Sequence, residues 1–172
     1  KKLIFLIKNI DNAEFHIIGF RYNEIINKNF KKIIDSSKSD VFFWGHVPHK
    51  SLIKYGNKFD IAIALYEKKS FGHNSESNIT DVMSPLKIFE YASLKKLIIL
   101  TKTISTAEIF NNEEVFFVNY NSDQSLINSI LQIKKNITFN SNKAIRAYKK
   151  VKSHYTWEIR SKKIEKLFLN EF

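Results

Sequence analysis

The sequence predicts an α/β domain built on a doubly wound parallel sheet, with helices alone at its C-terminal end. Three observations carry this expectation. Short, almost continuously apolar runs recur along the chain, stretches with helical spacing separate them, and from about residue 140 only helical spacing remains. Strands buried on both faces read as unbroken apolar runs, and such strands alternating with helices make βαβ units.

Five strands are expected, in order "EFHIIGF" (14–20), "VFFWG" (41–45), "DIAIALY" (60–66), "KLIIL" (96–100) and "EVFFVNY" (114–120). Between the first two, Ile25, Ile26, Phe30, Ile33 and Ile34 mark one helical face. Residues 48–58 read as a short helical step, and 104–111 as another with Ile104, Ile109 and Phe110 apolar. "SDQSLINSILQIKK" (122–135) opens on Ser122 as an N-cap and sets Leu126, Ile127, Ile130, Leu131 and Ile133 on one side. The tail reads as two basic helices that break near Ser153–Tyr155. Their sparse apolar positions are Ile145, Tyr148 and Val151, then Trp157, Ile159, Ile164, Leu167 and Phe168. The longest connection, "EKKSFGHNSESNITDVM" (67–83), is polar and unpatterned, and loops of that length in compact domains are commonly functional. With no internal repeat or low-complexity linker, the expectation is one domain over 1–172, with 140–172 as a helical extension.

Composition narrows the chemistry. No cysteine is present, which excludes disulfides, thiolate metal ligands and cysteine nucleophiles. The apolar runs are far too short to span a bilayer. The opening "KKLIFLIKNI" has the lysines of a leader peptide, but Lys8 breaks its apolar run and no small-residue cleavage site follows. Without an initiator Met, the chain is taken as part of a longer protein. A net charge of +11 favours anionic partners, phosphate-bearing ligands or an acidic membrane face among them. A general lysine, asparagine and isoleucine bias accounts for it equally well. Only three arginines occur (Arg21, Arg146, Arg160), and no aromatic interleaving accompanies them, so no nucleic-acid surface is expected.

Ligands of open parallel sheets bind beyond the C-terminal strand ends. That directs attention to Gly19–Arg21, Gly45–His49, the 67–83 loop with Ser84–Lys87, and Thr101–Thr106. In "SPLKIFEYAS" (84–93), Ser84 suits an N-cap and Pro85 the first helical turn, leaving the N–H groups of Leu86 and Lys87 free beside the positive helix end. Leu86, Ile88, Phe89 and Ala92 are expected on the buried side. Lys87 and Glu90 lie about 60° apart on the other. Two readings of that pair are open. One is a solvated i,i+3 ion pair worth about 0.2–0.5 kcal/mol. The other is a phosphate-and-ribose site, with lysine near phosphate and glutamate accepting bonds from sugar hydroxyls.

The stretch "SPLKIFEYASLKKLIIL" resembles the signature of the C-terminal, nucleotide-sugar-binding domain of GT-B-fold glycosyltransferases, especially glycosyltransferase family 4 (glycosyl transferases group 1). "FHIIGF", "VFFWGHVPHKSLIKYGNKFDIAIALY" and "HYTWEIRSKKIEKLF" resemble the family's other segments in the expected order, from about residue 3 to 168. In full-length members the last of these packs back across the domain interface. The resemblance implies a Rossmann-like domain, one half of a GT-B fold, with the N-terminal acceptor domain outside this chain. It implies ribose hydroxyls on Glu90, diphosphate on Lys87 and the helix start at Ser84, Pro85 and Leu86, and nucleobase at the turn Gly45–His46–Val47. The donor would be a nucleoside diphosphate sugar, and the acceptor a polysaccharide, lipopolysaccharide or lipid-linked glycan. Transfer would be retaining, in the cytoplasm or at the inner face of the membrane in bacterial envelope synthesis, with no cofactor and no protein-bound metal. This stretch alone is expected to bind nucleotide and transfer little.

The chain also departs from the pattern. Val82 stands eight residues before Glu90, where the family often has a second glutamate facing the donor sugar; Glu76 and Asp81 are the nearest weak substitutes. Arg21 does not match the family's basic pair, and no catalytic residue is assigned. His46 and His49 read equally as ligand contacts or surface residues, His16 as a structural histidine, and His73 as a solvated one. No metal-ligand spacing, Gly-x-Ser-x-Gly or Gly-x4-Gly-Lys-Ser/Thr loop occurs. The Asn-Ile-Thr triplets at Asn78 and Asn136 match a glycosylation sequon that an Asn-rich chain produces by chance. The rival reading is a non-catalytic Rossmann-like module whose basic surface docks on an anionic membrane or a partner. A GT-B-like epimerase is weaker, since it needs a carboxylate and histidine set that this stretch does not offer.

Overall fold

The apolar run at 96–100 forms the strand about which the rest is arranged. The computed structural model describes residues 2–21, 23, 28–56, 58–67, 80 and 82–169, and in it every residue of Leu97–Thr101 is buried. In chain order the elements are α1 (Lys2–Asn9), β1 (Glu14–Ile18), α2 (Lys28–Asp35), β2 (Asp40–Gly45), a one-turn 3-10 helix (His49–Ser51), α3 (Leu52–Gly56) and β3 (Ile61–Ala64). Then follow α4 (Leu86–Ser93), β4 (Leu97–Thr101), α5 (Ile104–Ile109), β5 (Phe116–Val118), α6 (Asp123–Lys135), α7 (Ile137–His154) and α8 (Trp157–Leu169). No helix among the described residues is long and apolar enough to cross a membrane.

All five expected strands are present and every pairing is parallel. In the three-stranded sheet β3–β4–β5, Ile61 opposes Leu97 and Ile99 opposes Phe116. Alternation of side chains across a strand then builds two layers from the same run. Leu97 and Ile99, with Phe116 and Val118, meet Leu6 and Ile10 at α1, Leu126, Ile127, Ile130 and Ile133 of α6, and Ala144 of α7. Ile98 and Leu100, with Ala64 and Val115, meet Ile88 and Ala92 of α4, Ile109 and Phe110 of α5, and Ala147 and Val151 of α7. This is the doubly wound, Rossmann-like arrangement.

Four expectations need correction. The single sheet is divided: β1 and β2 form their own parallel pair, and among the described residues no ladder joins it to β3. Ala13 and Phe15 reach the first core layer through side chains instead. Burial on both faces holds for β4 but not for β1 or β2, where Phe42 stays 39% exposed. Opposite α2, that face carries a ring stack of His16, Phe42 and Trp44, in which the Trp44 indole N–H donates to His16 Nδ1 at 3.0 Å. His16 is structural, as its sequence setting implied. The opening residues form a helix that the leader-peptide question had obscured. Lys2 fixes it to α6 by donating to Asp123 at 2.7 Å and to the Tyr120 carbonyl. Finally, α7 turns inward not with Ile145, which is 39% exposed, but with Ala144, Ala147 and Val151. Small side chains let a helix backbone approach closely, and aliphatic length alone is a poor guide to which face does so.

Other boundaries fall where local chemistry puts them. Ser122 caps α6 by accepting from the Ser125 N–H. Asn136 caps α7, whose end at Tyr155 matches the expected break. Ile25 and Ile26 lie outside the described residues.

Tyr66, just past β3, and Tyr91 of α4 are packed against the second layer. Burial, followed by the nearby Tyr91 phenol, pushes Tyr66 up to about 12. Burial and then the Glu90 carboxylate also raise Tyr91. Between pH 10 and 12 the folded chain therefore keeps a Tyr66 proton that the unfolded chain releases. Its contribution to stability is whole below pH 10 and drains away as pH rises through 12. Titration at 295 nm should show a late phenol ionisation that Tyr66→Phe removes. Ile98→Ala, at a fully buried position, should cost about 3 kcal/mol in urea denaturation, since it leaves a cavity between β4 and its helices.

Candidate functional site

The C-terminal ends of β1 and β2 are tied to each other. The Gly19 N–H donates to the Gly45 carbonyl at 2.8 Å, and the Gly45 N–H donates to the Phe20 carbonyl at 3.1 Å. The ladder slips a residue there, so that Ile18 opposes Gly45. Such a bulge bends a strand end and re-aims the chain after it. Gly45 has φ +63°, a conformation that favours glycine, and a Cβ there would stand a tight 3.3 Å from Arg21 Cγ. Beyond it, His46 is exposed and Val47 is 8% exposed. Pro48 is extended, and its carbonyl accepts from the Ser51 N–H to close the 3-10 turn that starts at His49.

The helix of "SPLKIFEYAS" begins differently from its sequence reading. Ser84 makes no side-chain cap. Pro85 occupies the capping position with φ −82° and ψ 77°, and the Leu86 N–H donates to the Ser84 carbonyl at 3.0 Å. That is an inverse γ-turn centred on Pro85. The Leu86 N–H is therefore used within the turn, and the Lys87 N–H takes no backbone partner among the described residues. Leu86 is 57% exposed rather than buried, while Ile88 and Ala92 carry the inner face. At its other end α4 closes in a Schellman motif. The Lys96 N–H reaches the Tyr91 carbonyl, the Lys95 N–H reaches that of Ala92, and Lys95 has φ +55°. This turns the chain directly into β4.

Glu90 does not pair with Lys87. Its Oε1 lies 3.0 Å from Nε2 of His49, and Lys87 is exposed without an ion pair among the described residues. The i,i+3 reading of the lysine and glutamate is thus not what the fold adopts. The pair that forms instead spans 41 residues and brings the turn after β2 against α4. Beneath it α3 packs on the end of α4, where Gly56 lies so near Leu94 that a Cβ would stand 2.8 Å from its Cδ1. Of the predicted site residues, Glu90 meets His49, which follows the Gly45–His46–Val47 turn after Pro48, and Lys87 stands one helical turn before Glu90. Ser84, Pro85 and Leu86 form the turn that launches the helix. No local pattern in the sequence signals the His49–Glu90 pairing.

The hydroxyls after β4 hold the neighbouring strand ends. Thr101 Oγ1 accepts from the Tyr66 N–H at 3.0 Å, and Thr106 Oγ1 donates to the Thr101 carbonyl at 2.9 Å. Thr103 and Thr106 cap α5 reciprocally. Ser105 Oγ donates to the Thr80 carbonyl, and Thr80 in turn donates to that of Glu67, so the long connection is pinned at both ends. Phe20, Val82, Leu86 and Ile104 are apolar residues exposed at this same end of the sheets, at 54%, 81%, 57% and 61%. His73, Glu76, Asn78 and Asp81 lie outside the described residues. Among the described residues no group of three or more His, Asp or Glu is placed to hold a metal ion.

A family model described as "Glycosyl transferase-like" matches residues 2–166. Among solved structures, sucrose-phosphate synthase from Thermosynechococcus elongatus superposes with a TM-score of 0.72 at 13% identity, over 99% of this chain and 41% of that one. The C-terminal domain of a glycosyl transferase group 1 family protein (LpcC) from Francisella tularensis gives 0.60 at 14% identity, over 91% of this chain and 93% of that one. The chain thus spans about two fifths of the synthase and nearly all of the LpcC domain. Among curated proteins no match is found. At such identities the structures speak for the fold, and the GT-B C-terminal domain is the fold they share with this chain. With the family model covering almost its whole length, the chain belongs to the glycosyl transferase-like family.

Proposed function

We propose that the surface where the turn after β2 meets α4 binds the nucleoside diphosphate of a sugar donor. The chain would then serve as the donor half of a glycosyltransferase acting, with retention, on a polysaccharide, lipopolysaccharide or lipid-linked acceptor. The observation that carries this reading is the His49–Glu90 contact, which draws the two segments together at the C-terminal strand ends. Glu90 accepts bonds from the ribose hydroxyls. Lys87, with its own backbone N–H at the positive end of α4, takes the diphosphate. Backbone groups of His46 and Val47, the residues after Gly45, meet the base. Catalysis is then chiefly positioning plus stabilisation of the departing diphosphate, with acceptor recognition supplied outside this chain.

A second reading rests on α8. It has no buried residue and exposes Trp157, Leu167 and Phe168 beside Arg160, Lys162, Lys163 and Lys166. Such a helix suits an anionic surface, and salt-sensitive binding to vesicles without nucleotide saturation would favour docking over donor binding.

Calorimetric titration with UDP and GDP sugars separates the two. Saturable binding is expected for one nucleotide class, and Lys87→Ala and Glu90→Ala should each weaken it about tenfold or more through loss of a charged hydrogen bond. Binding indifferent to both substitutions, or no binding at all, would sink the donor-site proposal.

A further inference from the structure

The fold assigns His49 a task that the motif on α4 does not contain. An ionised carboxylate can only accept hydrogen bonds, so the 3.0 Å contact makes Nε2 of His49 the donor and Glu90 Oε1 the acceptor. Glu90 Oε2 has no partner among the described residues, and the Glu90 side chain remains 35% exposed. One oxygen is held and the other is open to solvent.

Both ends of this contact stand on fixed backbone. His49 opens a 3-10 turn closed by the Ser51 N–H to the Pro48 carbonyl at 2.8 Å, directly after the buried Val47. Glu90 lies in the middle of α4, whose inner face at Ile88 and Ala92 is wholly buried. The His49 side chain itself is 78% exposed, and an ion pair so open to water adds little to folding. Its value is geometric. It restricts the rotamers of a carboxylate that would otherwise lose that freedom on meeting a ligand.

We propose that His49 is a positioning residue for the ribose end of the site, holding one Glu90 oxygen so that the other is presented to sugar hydroxyls. This rests on the donor-site reading of Glu90, and it names a residue that acts through Glu90 rather than on the ligand.

Calorimetry on the whole chain tests it, with UDP or GDP (whichever binds the wild type more tightly) and inorganic pyrophosphate as probes. His49→Ala should weaken the nucleotide about fivefold and leave pyrophosphate unchanged. Its thermal midpoint should stay within about 3 °C of wild type. His49→Gln, which keeps an N–H donor, should recover most of the loss. In the Glu90→Ala background, His49→Ala should have no further effect. The proposal is overturned if His49→Ala weakens both probes alike, or if its effect persists without Glu90. It is equally overturned if Glu90→Ala abolishes nucleotide binding while His49→Ala does nothing, an outcome that leaves the donor site standing. Nucleotide binding that ignores Glu90→Ala removes the donor-site reading as well.

Discussion

Everything in the described structure leans on one buried strand. All five residues of β4 are buried, and four of them alternate between two sets of helices, Leu97 and Ile99 in one layer and Ile98 and Leu100 in the other. Full burial of a large aliphatic side chain contributes about 1.5–3 kcal/mol, so a run that buries both faces concentrates a large share of the hydrophobic driving force in a few residues. The same strand delivers Thr101 to the C-terminal end, where its hydroxyl and carbonyl organise β3 and α5. Core and site are therefore linked through the geometry of a single element.

The candidate site uses that order economically. α4 is held from behind by Ile88 and Ala92, from its C-terminal end by the Schellman turn into β4, and from the side by α3 across Gly56. Glu90 thus reaches, from a helix with little freedom to shift, toward the segment after β2, whose start is fixed by the Gly19 N–H on the Gly45 carbonyl and the Gly45 N–H on the Phe20 carbonyl. Phe89 also meets Tyr155 at 5.4 Å between ring centroids, which places the joint between α7 and α8 beside the same helix.

Much of this was legible in the sequence because burial on both faces leaves an unmistakable pattern. "KLIIL" and "DIAIALY" could hardly be anything but interior strands, and Ser122 announces its helix by capping chemistry that is local. The errors share a different cause. Whether α7 turns Ile145 or Ala147 inward depends on how closely a neighbour approaches, and that distance is a tertiary quantity. Whether Ser84 or Pro85 begins α4 depends on a γ-turn centred on the proline, which capping preference alone does not signal. The partner of Glu90 is hidden for the same reason: helical spacing offers Lys87, but only the assembled fold brings His49 within reach. The α4 motif was recognisable from its residue types, whereas the contact that orients its glutamate was not.

The anchoring of α1 has a consequence for how the chain acquires its structure. Leu6 and Ile10 are covered by Leu126, Ile127, Ile130 and Ile133, and Lys2 is bonded to Asp123 across 121 residues. α1 must therefore wait for α6, more than a hundred residues further along, before its apolar side is shielded. By contrast, in the other layer α4, β4, α5 and Val115 are neighbours close in sequence, joined later only by Ala147 and Val151 of α7. Long-range closure is entropically slow, so the order of assembly is inverted relative to the order of synthesis. α1 precedes all of its core partners in sequence and is among the last elements to find its place.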